Sequence, residues 1–364
     1  MHKVVITLNS SWQAYNFRLN VARALKENGY KVIFIAPYDN KYSELLKKEF
    51  DFYDISIDPK GINPIKDFGT MVSLYKLYYD IRPDIILNFT IKPNIYSSLV
   101  ARLLKIKVIS NISGLGTIFI KQSIITKIAK LLYKIALSFN AKVFFQNNDD
   151  KNLFIENKLT KKDKSYLLPG SGVDLNKFIP IENQNNEIFK FLLIARLLQD
   201  KGIIEYIEAI KIIKKKYPNI RFKLLGSLYQ GNPTAISNEE LDMWINTNLI
   251  EYLGHSDNVK EEIEKVDCIV LPSYREGLSR VLLEAACLEK PIITTNVPGC
   301  KDVVIHGENG FLCEVKNSSD LATKIEQMIN QSKDELTQMG KRGRELIIKD
   351  FDEQLVINKY MDAI

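Results

Sequence analysis

Histidine and cysteine are both scarce in this sequence. There are three histidines among 364 residues, so a zinc site built from clustered imidazoles is not expected. The four cysteines all lie in the second half of the chain, at Cys268, Cys287, Cys300 and Cys313. None of them forms a Cys-x-x-Cys pair. We therefore expect reduced, mostly buried thiols, typical of a cytoplasmic protein, rather than a disulfide framework.

Long hydrophobic runs are also missing. No stretch reaches the roughly 18 apolar residues that indicate a transmembrane helix. The first residues lead directly into the short apolar run Val4–Leu8, which is not the pattern of a signal peptide. Hydrophobic residues make up 46% and charged residues 26%, which excludes a disordered or collagen-like chain. With roughly 100–200 residues per domain, the length predicts two domains.

The formal net charge of +6 hides an uneven distribution. Residues 1–170 contain 26 Lys and Arg against 14 Asp and Glu, whereas residues 171–364 contain 24 against 30. A basic half joined to an acidic half suggests that the basic half meets an anionic partner, such as nucleic acid, an anionic membrane or a phosphate-bearing substrate. The alternative is a lysine-rich composition without functional meaning.

Short apolar runs alternate with helical patterns along the whole chain. In the first half, the predicted strands are Val4–Leu8, Val32–Ala36, Phe52–Ile55, Ile85–Asn88, Val108–Ile112, Val143–Gln146 and Ser165–Leu168. In the second half, they are Phe191–Ala195, Arg221–Leu225, Glu251–Leu253, Cys268–Leu271, Ile292–Thr295 and Phe311–Cys313. This alternation predicts two parallel α/β sheets covered by helices on both faces, and therefore two Rossmann-like domains. Ligands of open parallel sheets bind at the carboxyl ends of the strands, so we expect a ligand cleft between the domains.

Two motifs with candidate chemistry follow strands of the second half. The first runs from Ala195 to Gly202 and places Arg196 at a strand end and Lys201 at a helix start. Two cations beside the free N–H groups of a helix N-terminus suit a diphosphate. A pair of solvated surface cations is the alternative.

The second motif runs from Ser273 to Glu284. Glu276 lies in a turn, where a nearby helix N-terminus favours negative charge, and Gly277 permits close approach of the backbone to a ligand. Glu284 lies about two helical turns further on and has the chemistry to hold a diol such as a ribose. A helix-surface carboxylate is the alternative, but the neighbours of Glu284 are apolar, and an embedded carboxylate needs a partner.

Together, these motifs resemble the retaining glycosyltransferases of family 4, which have the GT-B fold. The segments that carry the resemblance are Glu276 and Glu284 with seven residues between them, Arg196 with Lys201, and the stretches 170–174, 297–302 and 307–311. The resemblance covers essentially the whole chain. It implies that residues 1–170 bind the acceptor and residues 171–349 bind the nucleotide sugar, with a C-terminal helix at about 350–364 packing back on the first domain.

The resemblance also implies roles for single residues. Arg196 and Lys201 would bind the donor diphosphate and stabilise this leaving group by fixed electrostatics, without a metal. Glu276 would contact hydroxyls of the donor sugar, and Glu284 would bind the ribose. The other donor contacts would come from Gly277, Leu278 and Ser279 at the sugar and phosphate, and from Leu253, Gly254 and His255 near the base. No cofactor and no protein nucleophile are implied.

The first half departs from the family pattern at two places. Ser10 and Ser11 stand where many members have a Gly-Gly loop, and the segment 88–94 stands where many have a histidine. These two serines, with Thr90 and Lys92 from the second place, are therefore candidate acceptor residues. Gly114 and Gly116 complete the candidates. Their loop resembles loops of bacterial transferases that act on undecaprenyl-diphosphate-linked sugars, and a plain turn is the alternative.

The segment 121–139 predicts an amphipathic helix. Its cations share one face, and its apolar residues fill another: Lys127, Lys130 and Lys134 against Ile128, Leu131, Leu132 and Ile135. Such a helix suits an anionic membrane surface. The alternative is an ordinary domain helix whose apolar face lies in the core. No recognised nucleic-acid-binding motif accompanies the basic charge, so nucleic acid is not an expected partner.

The resemblance implies a metal-independent hexosyltransferase. It would move a hexose or N-acetylhexosamine (GalNAc, Gal or GlcNAc) from a UDP-sugar to a polyprenyl-diphosphate-linked saccharide in bacterial surface polysaccharide or glycan biosynthesis. We expect it at the cytoplasmic face of the inner membrane, as a peripheral protein. One alternative is a UDP-sugar epimerase of the same fold, which would need more acid and base groups than three histidines suggest. The other is a non-catalytic sugar-nucleotide-binding subunit, which would not require all four charged residues.

Overall fold

The computed structural model describes residues 1–58, 63–115, 124–181, 188–229 and 231–364. The chain divides into two compact units. Unit 1 comprises Met1–Ser171 together with Gln354–Ile364, and unit 2 comprises Gly172–Glu353.

Unit 1 is an α/β unit whose strands all run parallel. The strands are β1 (Lys3–Thr7), β2 (Lys31–Ala36), β3 (Asp51–Asp54), β4 (Ile85–Phe89), β5 (Lys107–Ile112), β6 (Lys142–Phe145) and β7 (Ser165–Leu167). The helices are α1 (Ser11–Glu27), α2 (Tyr42–Lys47), α3 (Pro64–Ile81), α4 (Ser98–Leu103), α5 (Ile124–Leu137) and α6 (Asn148–Glu156). A π-helical turn, Pro93–Ser97, precedes α4. The sheet order is β3-β2-β1-β4-β5-β6-β7.

Both faces of this sheet are covered, because alternate residues of its strands enter different cores. Val4 and Ile6 of β1 pack with α1, whereas Val5 packs with α3 and α4. The last helix, α13 (Glu353–Met361), joins the α1 side through Val356 and Tyr360. A strand buried on both sides is largely apolar rather than alternating, and β4 is buried at all five positions with Asn88 as its one polar residue.

Unit 2 has the same architecture. Its strands are β8 (Lys190–Ile194), β9 (Arg221–Leu225), β10 (Glu251–Tyr252), β11 (Cys268–Leu271), β12 (Ile292–Thr295) and β13 (Gly310–Cys313). Its helices are α7 (Ile203–Lys216), α8 (Asn238–Asn246), α9 (Val259–Glu264), α10 (Arg280–Cys287), α11 (Ser318–Ile329) and α12 (Lys333–Asp350). The parallel sheet has the order β10-β9-β8-β11-β12-β13.

The prediction of two parallel α/β sheets is confirmed, and each predicted strand has a counterpart in the part of the chain that the structure describes. In both sheets the strand order reverses beside the first strand of the unit. These reversals lie between β1 and β4 and between β8 and β11, and open parallel sheets bind ligands at such points.

Candidate functional site

The candidate site of unit 2 is built from two loops that leave neighbouring strands. The β8 loop (residues 195–202) follows β8, and the β11 loop (residues 272–279) follows β11. The two strands pair in parallel, so both loops emerge at the same edge of the sheet. The chain therefore brings together two segments that lie about 75 positions apart in the sequence.

Backbone contacts hold the two loops against each other. The carbonyl oxygen of Asp200 accepts hydrogen bonds from the Tyr274 N–H at 2.9 Å and from the Ser273 hydroxyl at 3.2 Å. Gly202 has a φ of +75°, and a Cβ at this position would lie 2.0 Å from the carbonyl oxygen of Pro272. Only glycine fits this turn, because any side chain would force the loops apart.

The contact between the loops places Lys201 against Glu276. The Lys201 Nζ lies 2.6 Å from Glu276 Oε1, and the two side chains are 14% and 18% exposed. Arg196, the other predicted cation, also lies in the β8 loop but is exposed, and its guanidinium stands 4.9 Å from the centre of the Tyr229 ring. The structure thus pairs Lys201 with an acid and gives Arg196 a different neighbour.

A turn after β12 supports the β11 loop. The Glu276 N–H donates to the carbonyl oxygen of Pro298 at 3.0 Å, and the Ser279 N–H donates to that of Gly299 at 3.0 Å. The Gly299 N–H in turn donates to Asp302 Oδ2 at 2.7 Å. The stretch 297–302, which contributed to the family resemblance, therefore acts here as a support for the loop that carries Glu276, Gly277, Leu278 and Ser279.

Glu284 lies on α10, which begins directly after Ser279. Its carboxylate accepts a hydrogen bond from Arg280 Nε at 2.8 Å, and the side chains are 11% and 17% exposed. The alternative reading of Glu284 as a solvated surface carboxylate is therefore wrong. Arg280 is not among the residues predicted from the sequence, although its position four residues before Glu284 marks it as a neighbour on a helix.

Two titratable side chains lie in or beside the β11 loop, Tyr274 and Cys300. Burial, followed by the hydrogen bond to Glu205, raises the pKa of the Tyr274 phenol, which donates to Glu205 Oε1 at 2.7 Å. Burial and the charge of Glu276 raise the pKa of the Cys300 thiol to about 12. Both groups are therefore neutral at physiological pH, and neither adds charge to the site.

The predicted base-side residues follow β10, two strands away from β8. The Leu253 N–H donates to the Leu224 carbonyl oxygen at 2.9 Å, and the Gly254 carbonyl oxygen accepts from the Gly226 N–H at 2.8 Å. His255 is exposed, with its Nε2 3.4 Å from Asp257 Oδ1. With a strand spacing of about 4.8 Å, this loop lies roughly 10 Å from the β8 strand.

In unit 1, Ser10 and Ser11 follow β1, which borders the reversal point of the sheet. Ser10 immediately precedes α1, and its side chain makes no capping hydrogen bond there. The Ser11 hydroxyl is buried, donates to the Pro37 carbonyl oxygen at 2.5 Å and accepts from the Ser43 hydroxyl at 2.9 Å. This burial argues against direct contact of the Ser11 side chain with an acceptor.

Thr90 and Lys92 follow β4, on the other side of the same reversal point. Thr90 has a φ of +70°, which is rare for a β-branched residue and occurs mainly where function or surrounding structure imposes it. Lys92 Nζ lies 2.5 Å from Asp67 Oδ1, and the Tyr96 hydroxyl donates to the other oxygen of Asp67 at 2.7 Å. Lys92 is thus anchored to α3.

The candidate glycines after β5 are Gly114 and Gly116. Gly114 has a φ of +129°, a conformation that glycine adopts without strain. Gly116 lies outside the described residues.

In the described part of the chain, no group of three or more His, Cys, Asp or Glu side chains has the arrangement of a metal site.

The outer face of α5 is apolar at its centre. Ile128, Leu131 and Ile135 are 54%, 58% and 40% exposed, and the exposed Lys127 and Lys134 flank them. The alternative, an ordinary domain helix whose apolar face lies in the core, is met by only Leu132 among these apolar residues, while Tyr133, Ala136 and Leu137 of the same helix do enter the core. The outer face of α3 bears a second exposed apolar row, formed by Ile65, Phe68, Val72, Tyr75 and Tyr79.

None of the described helices is long and apolar enough to cross a membrane.

Comparisons with known proteins agree on one class. The family model "Glycosyl transferases group 1" matches residues 175–346, and "Glycosyl transferase 4-like" matches residues 4–147. The chain is 27% identical to the N,N'-diacetylbacillosaminyl-diphospho-undecaprenol alpha-1,3-N-acetylgalactosaminyltransferase of Campylobacter jejuni, over 95% of this chain and 94% of the relative. It is 28% identical to the UDP-Gal:alpha-D-GlcNAc-diphosphoundecaprenol alpha-1,3-galactosyltransferase of Escherichia coli, over 83% and 80%.

A solved structure shows the same fold. HepE from Anabaena, in complex with UDP-glucose, matches with a TM-score of 0.81 at 17% identity over 100% of both chains.

Proposed function

The chain belongs to the glycosyltransferase family that these two models describe, and from this premise we propose its substrates. It moves a hexose or N-acetylhexosamine (GalNAc, Gal or GlcNAc) from a UDP-sugar to a polyprenyl-diphosphate-linked saccharide, with retention at the anomeric carbon. The setting is bacterial surface polysaccharide or glycan biosynthesis. The names of the two relatives support the acceptor class, and the GalNAc and galactosyl activities in those names support the sugar class.

The observation that carries the donor site is the ion pair between Lys201 and Glu276 at the reversal point of the unit 2 sheet. In the proposed complex, the diphosphate lies at the β8 loop, where Lys201 and Arg196 supply positive charge. Glu276 and the backbone from Gly277 to Ser279 contact the transferred sugar. Glu284 holds the ribose.

The chemistry follows from where charge develops. Breaking the bond between the anomeric carbon and the phosphate leaves positive charge on the sugar and negative charge on UDP. Lys201 is already held in place by Glu276, so it stabilises the leaving diphosphate without reorganising during the reaction. Arg196 adds a second cation from the same loop. The account requires no metal and no protein nucleophile.

The spacing of the loops supports a nucleoside diphosphate rather than a simple phosphate. The loop with Leu253, Gly254 and His255 is displaced from the β8 loop by two strand positions, about 10 Å. This separation suits a ligand whose base and diphosphate lie at opposite ends. In the proposed complex, the base occupies the β10 end and the diphosphate the β8 end.

The acceptor is assigned to unit 1. Ser10, Thr90 and Lys92 follow the two strands that border its reversal point, and Gly114 follows the next strand. The strained backbone of Thr90 supports a binding role, because such strain concentrates at ligand sites.

Membrane association at the cytoplasmic leaflet is assigned to the outer face of α5. A helix with exposed apolar residues at its centre and lysines at its flank suits an anionic bilayer surface. The net positive charge of residues 1–170 adds attraction to anionic lipids. A lipid-linked acceptor lies at this surface, so membrane association brings the protein to its substrate.

The test is a transfer assay with purified full-length protein. UDP-GalNAc, UDP-Gal and UDP-GlcNAc are each incubated with an extract of polyprenyl-diphosphate-linked saccharides, and UDP release and the mass of the lipid-linked product are measured. One donor is expected to add a single hexose or N-acetylhexosamine to the lipid. Glu276→Ala is expected to lower kcat by about 10²–10³-fold, because it removes a preorganised charge.

Glu264→Ala is the matched control. Glu264 is 15% exposed and pairs with Lys260 at 3.6 Å on α9, so its removal also breaks a partly buried ion pair. Its kcat is expected to stay within about threefold of the wild-type value, because Glu264 does not belong to the proposed electrostatic site. Absence of lipid-linked product with every donor would overturn the proposed function, and an unchanged kcat in Glu276→Ala would remove Glu276 from the site.

A further inference from the structure

The ion pair between Arg280 and Glu284 is not arranged in the way that best stabilises a helix. Arg280 is the first residue of α10, and Glu284 follows one turn later. The N-terminal end of a helix carries partial positive charge, which disfavours a cation there. The order in which the acid comes first is also the more stabilising one for an i,i+4 pair, and here the order is reversed.

The pair is also largely withdrawn from solvent. With side chains 17% and 11% exposed, both charges have lost much of their hydration, and the ion pair compensates part of that loss. Removing the guanidinium would leave Glu284 as a poorly solvated carboxylate without the contact that fixes its orientation. Arg280 therefore controls the direction in which the Glu284 carboxylate points.

We propose that Arg280 is a positioning residue that holds Glu284 for the ribose hydroxyls and thereby makes the enzyme selective for ribonucleotide donors. Arg280 Nε occupies Oε1 of the carboxylate. A carboxylate accepts several hydrogen bonds, so Glu284 can bind the guanidinium and a ribose hydroxyl together. This inference rests on the proposed donor site.

Nucleotide binding tests this role directly. Affinities of the full chain for UDP and for 2′,3′-dideoxy-UDP are measured by titration calorimetry. The wild-type protein is expected to bind UDP at least about tenfold more tightly, because only UDP offers hydroxyls to Glu284. In Arg280→Ala, the affinity for UDP falls and the ratio between the two ligands drops to within about threefold. Arg280→Lys, which keeps a cation, restores part of the ratio.

Lys324→Ala is the control. Lys324 pairs with Asp320 on α11, also one turn apart and with a similarly covered lysine, and its loss is expected to leave the ratio unchanged. Thermal unfolding checks that each variant is folded. If Arg280→Ala does not fold, the affinity ratio of Arg280→Lys serves as the test. A variant that weakens both ligands equally, or neither, overturns the positioning role. A wild-type protein that does not discriminate between the ligands overturns the donor site itself, and this inference with it.

Discussion

Gly299 has no side chain, and this allows its loop to pack closely against the backbone of Glu276. Its φ is +77°, and a Cβ built on it would lie 2.4 Å from the carbonyl oxygen of Glu276 and 2.7 Å from that of Gly277. Both contacts are with backbone atoms, which cannot turn aside as a flexible side chain can. The position of the Glu276 backbone is therefore set partly by a glycine in the loop after the neighbouring strand β12.

Gly299→Ala is expected to lower kcat by about 10²-fold, because even a displacement of about 1 Å at a reacting group has an effect of this size. Gly307→Ala is the matched control: Gly307 has a φ of +82°, but a Cβ there meets no atom within 4 Å. Both variants share the backbone strain, about 1–2 kcal/mol, and only the first displaces the loop. Steady-state kinetics and thermal unfolding separate the two effects. Equal kcat values would show that the contact with Glu276 is unimportant.

For single residues, the sequence predicts membership of a site better than it predicts the contacts within that site. The resemblance placed Glu276 and Lys201 in one donor site, but the 2.6 Å contact between them depends on how two loops from paired strands fold, which spacing does not reveal. Arg280 was accessible from its i,i+4 position before Glu284. The burial of Ser11 was not, because its partners Pro37 and Ser43 lie after the next strand.

At the scale of elements, strands were predicted more accurately than helix ends. Strands buried in a parallel sheet are apolar along their whole length, so they stand out in the sequence. The start of a helix is less distinct, as at α1, which begins at Ser11. The first turn contains no acidic residue that would mark the start of the helix in the sequence.

Helix α5 shows why an amphipathic pattern does not reveal which side is buried. Among its described side chains, Thr126, Tyr133, Ala136 and Leu137 are buried, while Ile128, Leu131 and Ile135 face outward. Both sides are apolar enough to form a core face. Only the packing against the π-helical turn and α4 decides between them.

Replacing Leu131 and Ile135 together by glutamate is expected to reduce binding to vesicles rich in anionic phosphatidylglycerol by about tenfold or more. The change removes two apolar side chains and adds negative charge beside the lysines. Cosedimentation measures the bound fraction. Ile212→Glu, at an exposed position on α7 of unit 2, is the control and should bind as the wild type does. Equal binding of both variants would exclude this face of α5 as the membrane contact.

At the scale of the whole molecule, the two units share an architecture and differ in charge. Each has a parallel sheet with one reversal point, and each reversal point is bordered by loops that carry candidate site residues. The lysine-rich half coincides with unit 1 and the acidic half with unit 2. This division matches the proposed roles, in which unit 1 meets a lipid-linked acceptor and unit 2 binds the donor.

The central claim is that unit 2 binds a UDP-sugar with the four charged residues Arg196, Lys201, Glu276 and Glu284. The most direct measurement is a crystal structure of the protein soaked with UDP-sugar. The account predicts a diphosphate within hydrogen-bond distance of Lys201 and the ribose hydroxyls at the carboxylate of Glu284. A nucleotide bound elsewhere, or one that leaves Lys201 and Glu284 without contact, would contradict it.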